Sequence, residues 1–230
     1  MPVGKNLISR LVRRGFVNQL VLAALLFISA GSLKFWQGWV FMVLNLIAGL
    51  CSCIYFYKHN PQLLERRMLK KEKISEQRLI MTLWKVLAAV SIVLSGYDYQ
   101  FGWSRTFPGP VPLWLTLLAL LLVLGGHVLF FQVLKANRFA ASIIQVEAGQ
   151  TVIATGPYRF VRHPMYSAGV IIWLCTPLAL GSYAAVPVCV LIIPAIIFRL
   201  LNEEKVLRRE LPGYSEYCRR TRYRLIPFVW

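Results

Sequence analysis

Long apolar runs separated by short cationic segments set the pattern of this chain. The runs cover 16–33, 36–57, 79–97 and 111–134. Each approaches the roughly 20 residues that carry a helix across the hydrocarbon core, so each predicts a membrane-spanning helix. A fifth apolar stretch, 165–201, is broken near Gly181-Ser182 and contains Pro177, Pro187 and Pro194. Its two arms are short for a straight span, which predicts a helical hairpin, either two short spans or one re-entrant loop. Trp36, Trp39, Tyr55 and Tyr57 flank the second run, as in an interfacial aromatic belt. The pattern predicts an all-α integral membrane protein with about six transmembrane helices, four plus a C-terminal hairpin, and no Rossmann domain.

The polar segments complete the layout. Residues 58–78 form a highly charged connection, and its PQLLERR stretch predicts a short amphipathic helix lying on the membrane surface. Residues 135–155 are too polar to cross and are expected to run along that surface. The tail, 202–230, is basic and aromatic, with a turn at Pro212-Gly213. This suggests an N-terminal four-span region, 1–134, and a C-terminal part, 135–230, joined in one integrated domain. No internal repeat or low-complexity linker is visible.

Composition narrows the class. The chain is 57% hydrophobic and 15% charged, against roughly a quarter charged in soluble domains. Its 26 Lys and Arg face 9 Asp and Glu, for a net charge of +17. A basic excess can serve nucleic acid, but cations between apolar runs point to the lipid bilayer as partner and to no nucleic acid. Only Lys34 and Arg105 fall in the loops on the opposite side. The positive-inside rule therefore predicts a multi-pass protein with both termini and the polar motifs in the cytoplasm. Lys5, Arg10, Arg13 and Arg14 precede the first run as they would in a signal peptide, but no clear small-residue cleavage site follows, which predicts an uncleaved first span. Five cysteines, mostly in apolar runs, match neither a disulfide framework nor a zinc site, so no metal is expected.

Two polar clusters are candidates for chemistry. The first is TGPYRFVRHPMY, 155–166, where Pro164 is suited to the first position of a helix. A helix start there would present free N–H groups and partial positive charge to a carboxylate or phosphate at His163. The same residues would equally serve as a basic anchor in which Arg159 and Arg162 touch lipid phosphate. The second is RLLNEE, 199–204. Adjacent acids at the end of an apolar helix are costly unless paired or solvated. Arg199 and Glu203 share a helix face, so they form either a surface ion pair or the polar face of a ligand site. The hairpin would bring this cluster to the first one. His127, mid-span, predicts a polar contact between helices; His59-Asn60-Pro61 predicts a helix stop; Asp98 predicts a local cap. No P-loop, GxGxxG after a strand, GxSxG or HExxH occurs.

GPYRFVRHPMYSAG, RLLNEEKVL and YSEYCRRTRYRLIP together resemble the isoprenylcysteine carboxyl methyltransferase family. These are integral-membrane methyltransferases that use S-adenosyl-L-methionine and are related to phospholipid N-methyltransferases. The resemblance covers about 137–227. It implies a cofactor pocket of Gln145, Gln150, Thr151, Val152, Ile153, Tyr158, His163, Pro164, Met165, Tyr166 and Glu203, with Gln150 standing where relatives have a histidine. Arg199 matches the position linked to the acceptor, so the catalytic pair implied is Arg199 and Glu203. The activity implied is methyl transfer to a lipophilic acceptor, with an isoprenylcysteine-like or other lipid-linked carboxylate favoured over a lipid amine. Tyr158 or Tyr166 would meet the sulfonium by cation–π attraction. A small transporter and a non-catalytic scaffold are the readings from other classes. Pro-interrupted arms and His127 favour the transporter; few ionisable groups in the spans argue against it.

Overall fold

A computed structural model describes residues 6–68, 75–140, 146 and 149–230. In chain order the helices are α1 (Asn6–Ala30), α2 (Trp36–His59), α3 (Pro61–Met68), α4 (Ser75–Phe101) and the single turn α5 (Trp103–Thr106). Then come α6 (Leu113–Ala136), a 3-10 turn (Gly156–Arg159), α7 (Pro164–Ala179), α8 (Val186–Val190), α9 (Ile192–Glu210) and α10 (Tyr214–Arg220). No strand occurs among the described residues. The chain is an all-helical, multi-pass integral membrane protein.

Among the described residues, five helices are long and apolar enough to cross a bilayer. The first begins ten residues before its apolar run, with Arg10, Arg13 and Arg14 inside α1. Long basic stems lie along a helix while their heads reach water, so these residues need not end it. Residues 61–68 form the expected short helix; Asn60 ends α2 and its Oδ1 accepts the Leu63 N–H at 3.2 Å. The two arms of the C-terminal hairpin are unequal. At 1.5 Å per residue the 16 residues of α7 extend about 24 Å. Its partner runs from Val186 to Glu210 with one irregular step at Leu191, and its last turns carry Glu203 and Glu204. The break comes where expected. Gly181 is left-handed (φ 73°), and the Ser182 N–H reaches the Pro177 carbonyl at 2.9 Å, a glycine-closed helix end.

Helices α1, α2, α6, α7 and α4 follow one another round a ring, each packing on the next. At the end away from the basic segments, Leu26, Phe35, Phe41, Ile92, Leu120, Val123 and Leu180 form a buried apolar plug. Asp98 closes the same end, accepting the Ser104 N–H at 2.7 Å and the Ser104 hydroxyl. The tightest seam lies between α6 and α7. A Cβ on Gly126 would stand 2.6 Å from Ile172 Cγ1 and 3.2 Å from the Ala168 carbonyl, whereas one on Gly125 would meet nothing. Gly126→Val should therefore destabilise the protein by about 1–3 kcal/mol. Gly125→Val should cost far less, as read by thermal unfolding in detergent.

Candidate functional site

At the basic end of the ring, the 3-10 turn, the start of α7, the last turns of α9, α10 and the tail converge. Backbone pairing fixes this arrangement. The Arg162 and His163 N–H groups donate to the Tyr223 and Arg224 carbonyls, each at 2.9 Å, and Ser167 Oγ donates to the Leu225 carbonyl at 2.6 Å. Pro164 then starts α7 with His163 as its cap residue.

Glu204 is the hub. Its Oε1 accepts from Arg162 Nε at 2.7 Å and lies 3.3 Å from His163 Nε2, while Oε2 accepts from Arg224 Nε at 3.2 Å. Arg162 also donates to the Thr221 and Arg222 carbonyls at 3.1 and 2.9 Å. Arg162 and Glu204 both have side chains only 5% exposed. This ion pair joins the RHPMY segment, α9 and the tail.

Glu203 has a different neighbourhood. Its Oε2 accepts the Tyr166 hydroxyl at 2.6 Å, and that hydroxyl also interacts with Arg199. Arg199, buried, donates from Nη1 to Gln77 Oε1 at 3.0 Å. Gln77, on α4, is fully buried; nothing in the sequence marks it, because it lies within the highly charged connection 58–78. The tail motif carries no mark of its contacts either. It supplies Tyr217, whose hydroxyl donates to the Tyr158 carbonyl at 2.7 Å, and Tyr214, 3.5 Å from His163 Nε2. Asn137 Nδ2 donates to the Tyr158 hydroxyl at 2.9 Å. Burial, reinforced by the nearby Glu203 charge and opposed by the Asn137 hydrogen bond, pushes the Tyr158 pKa up to about 12. Burial raises Tyr214 and Tyr217 as well. All three are neutral phenols at neutral pH.

These groups border a cavity of about 1180 Å³ enclosed by the ring. Gln150, Thr151, Val152, Ile153, Tyr158, His163, Met165, Tyr166, Arg199 and Glu203 all line it. Pro164 is buried and shapes the helix start instead, and Gln145 lies outside the described residues. Glu204 faces its cations rather than the cavity. The other walls, Leu22, Phe41, Leu46, Phe130, Ile172 and Trp173 among them, extend the same space into the membrane-spanning part of the ring. Arg67 of α3 also lines it, beside the Phe130 ring at 5.0 Å. Among the described residues no group of three or more His, Cys, Asp or Glu gathers to hold a metal ion.

Residues 114–212 match the family model for phospholipid methyltransferases, a stretch running from α6 to the end of α9. The match therefore holds both polar clusters. The mouse (Mus musculus) Delta(14)-sterol reductase TM7SF2 is 27% identical over 148 residues, which cover 58% of this chain and 35% of that protein. Residues 114–212 are thus similar to phospholipid methyltransferases, within an all-helical, multi-pass membrane protein.

Proposed function

We propose that this protein transfers a methyl group from S-adenosyl-L-methionine to a lipophilic acceptor drawn from the bilayer. The observation that carries the reading is the single cavity joining the Tyr166–Glu203–Arg199 cluster to apolar walls inside the helix ring. A pocket for one small ligand measures about 300–1,000 Å³, so 1180 Å³ suits a cofactor together with the head of a lipid. Its lining by residues from α1 through α9 supports one integrated domain across 1–134 and 135–230. The distribution of Lys and Arg supports placing both termini and the site in the cytoplasm.

The cofactor supplies a methyl group already activated on a sulfonium, so the protein must chiefly align and dehydrate the reactants. Glu203 would accept hydrogen bonds from the cofactor's ammonium or ribose, and Tyr158 and Tyr166 present aromatic rings beside a cation. The 150–153 strip lines the same cavity. Arg199, steadied by Gln77, would hold an acceptor carboxylate by charge-assisted hydrogen bonds, and a carboxylate needs no base. For a lipid amine, the alternative acceptor, Glu203 would become the candidate base.

A second reading is a membrane reductase, favoured by the similarity to a sterol reductase. Titrating S-adenosylhomocysteine and NADPH separately into detergent-purified protein discriminates the two. The methyltransferase reading expects micromolar binding of S-adenosylhomocysteine, about −8 kcal/mol. It also expects Tyr166→Phe to weaken that binding and NADPH to give no heat. Binding of NADPH alone by folded protein would overturn it in favour of the reductase.

A further inference from the structure

Three polar side chains of the helix ring line the cavity apart from the cluster described above: Gln19 of α1, Asn45 of α2 and His127 of α6. Phe27 of α1 packs on Trp39 and Gly38 of α2, so in this helical hairpin Gln19 falls about level with Asn45. His127 Nε2 lies 3.1 Å from Asn45 Oδ1. The Asn45 amide is oriented independently, because its Nδ2 donates to the Phe41 carbonyl at 2.7 Å. Its oxygen is therefore what faces the imidazole, and His127 must donate from Nε2. In the neutral ring the other nitrogen, Nδ1, is then an acceptor. Gln19 Oε1 is buried without a hydrogen-bond partner. Gln19 Oε1 calls for a donor, since an unmet polar group in a low-dielectric space costs free energy that a hydrogen bond would recover. One donor proton can be shared with His127 Nδ1 in a three-centre bond.

Depth can be read from the packing. Gly126, next to His127, seats against Ala168 and Ile172 of α7. Ile172 lies six residues beyond Tyr166, about 9 Å along the helix at 1.5 Å per residue. A ligand whose head sits at Tyr166 and Arg199 would thus pass these acceptors partway along its tail.

We propose that His127, oriented by Asn45, and Gln19 form a subsite for a hydroxyl group in the membrane half of the cavity. The acceptor is then a lipid with a hydrogen-bond donor along its chain, not a plain hydrocarbon tail. This rests on the methyltransferase reading for the placement of the head. A simple polar contact between α2 and α6 would explain the Asn45–His127 bond, but it would leave Gln19 unused.

The test compares 8-hydroxystearate, whose hydroxyl falls at that depth, with stearate for binding to the full-length protein in nanodiscs saturated with S-adenosylhomocysteine. The two share a carboxylate and differ by one mid-chain hydroxyl. The subsite predicts that wild type prefers the hydroxylated chain by about three- to tenfold. His127→Leu and Gln19→Leu should each abolish that preference while stearate affinity stays unchanged. Gln19 Oε1 accepts no hydrogen bond among the described residues, so its variant keeps the test sound if His127→Leu unfolds. Equal affinities in wild type, or a preference that survives Gln19→Leu, would overturn the subsite. Titration of S-adenosylhomocysteine is run alongside. Its failure to bind sinks the methyltransferase reading, whereas its binding without a hydroxyl preference sinks the subsite alone.

Discussion

Glu204→Gln is expected to destabilise the protein by about 3–5 kcal/mol, the cost of removing one partner from a buried ion pair. The carboxylate accepts from Arg162 and Arg224 and lies beside His163, in a place where water cannot replace it. Glutamine keeps the shape and one acceptor oxygen but leaves the Arg162 guanidinium buried without its counter-charge. The tail loses its anchor at the same stroke, because Arg162 also holds the Thr221 and Arg222 carbonyls. Thermal unfolding in detergent should shift down by roughly 10 °C, and limited proteolysis should cut the tail sooner. An unchanged melting point would show that Glu204 is not the structural hub.

Glu203→Gln should do the opposite. Its carboxylate borders the cavity and accepts one hydroxyl, from Tyr166, which an amide oxygen also accommodates. Stability should stay within about 1 kcal/mol of wild type. The loss falls on the ligand: a hydrogen bond to a charged group contributes about 1.5–3 kcal/mol, so S-adenosylhomocysteine should bind roughly ten- to a hundredfold more weakly. Wild-type affinity in a folded Glu203→Gln protein would remove this residue from the cofactor site. A fall in melting point matching that of Glu204→Gln would make both acids structural.

The sequence made much of this architecture readable, because hydropathy is summed locally along the chain. Four apolar runs became α1, α2, α4 and α6, and the Gly181 break became the turn between α7 and α8. Boundaries moved where charged residues continue a helix, as Arg10 to Arg14 do in α1. The convergence of RHPMY with the two acids could be expected from the hairpin alone. Gln77 could not, since a lone glutamine in a charged stretch has no pattern; only the packing of α4 on α9 brings it to Arg199. Tyr214 and Tyr217 stood inside a motif, but their place against His163 and Tyr158 depends on how α10 folds back.

The residue pattern by itself determined that this is a helical membrane protein, where its spans fall and which polar segments meet at one end. The tertiary structure decided the division between the adjacent acids. Neighbours on a helix point about 100° apart, so one turns to a buried arginine and the other to the cavity, and only helix rotation and crossing say which. The ring was decided there too: its lumen exists because α1, α2, α6, α7 and α4 close around a shared space, a fact held in no single segment of sequence.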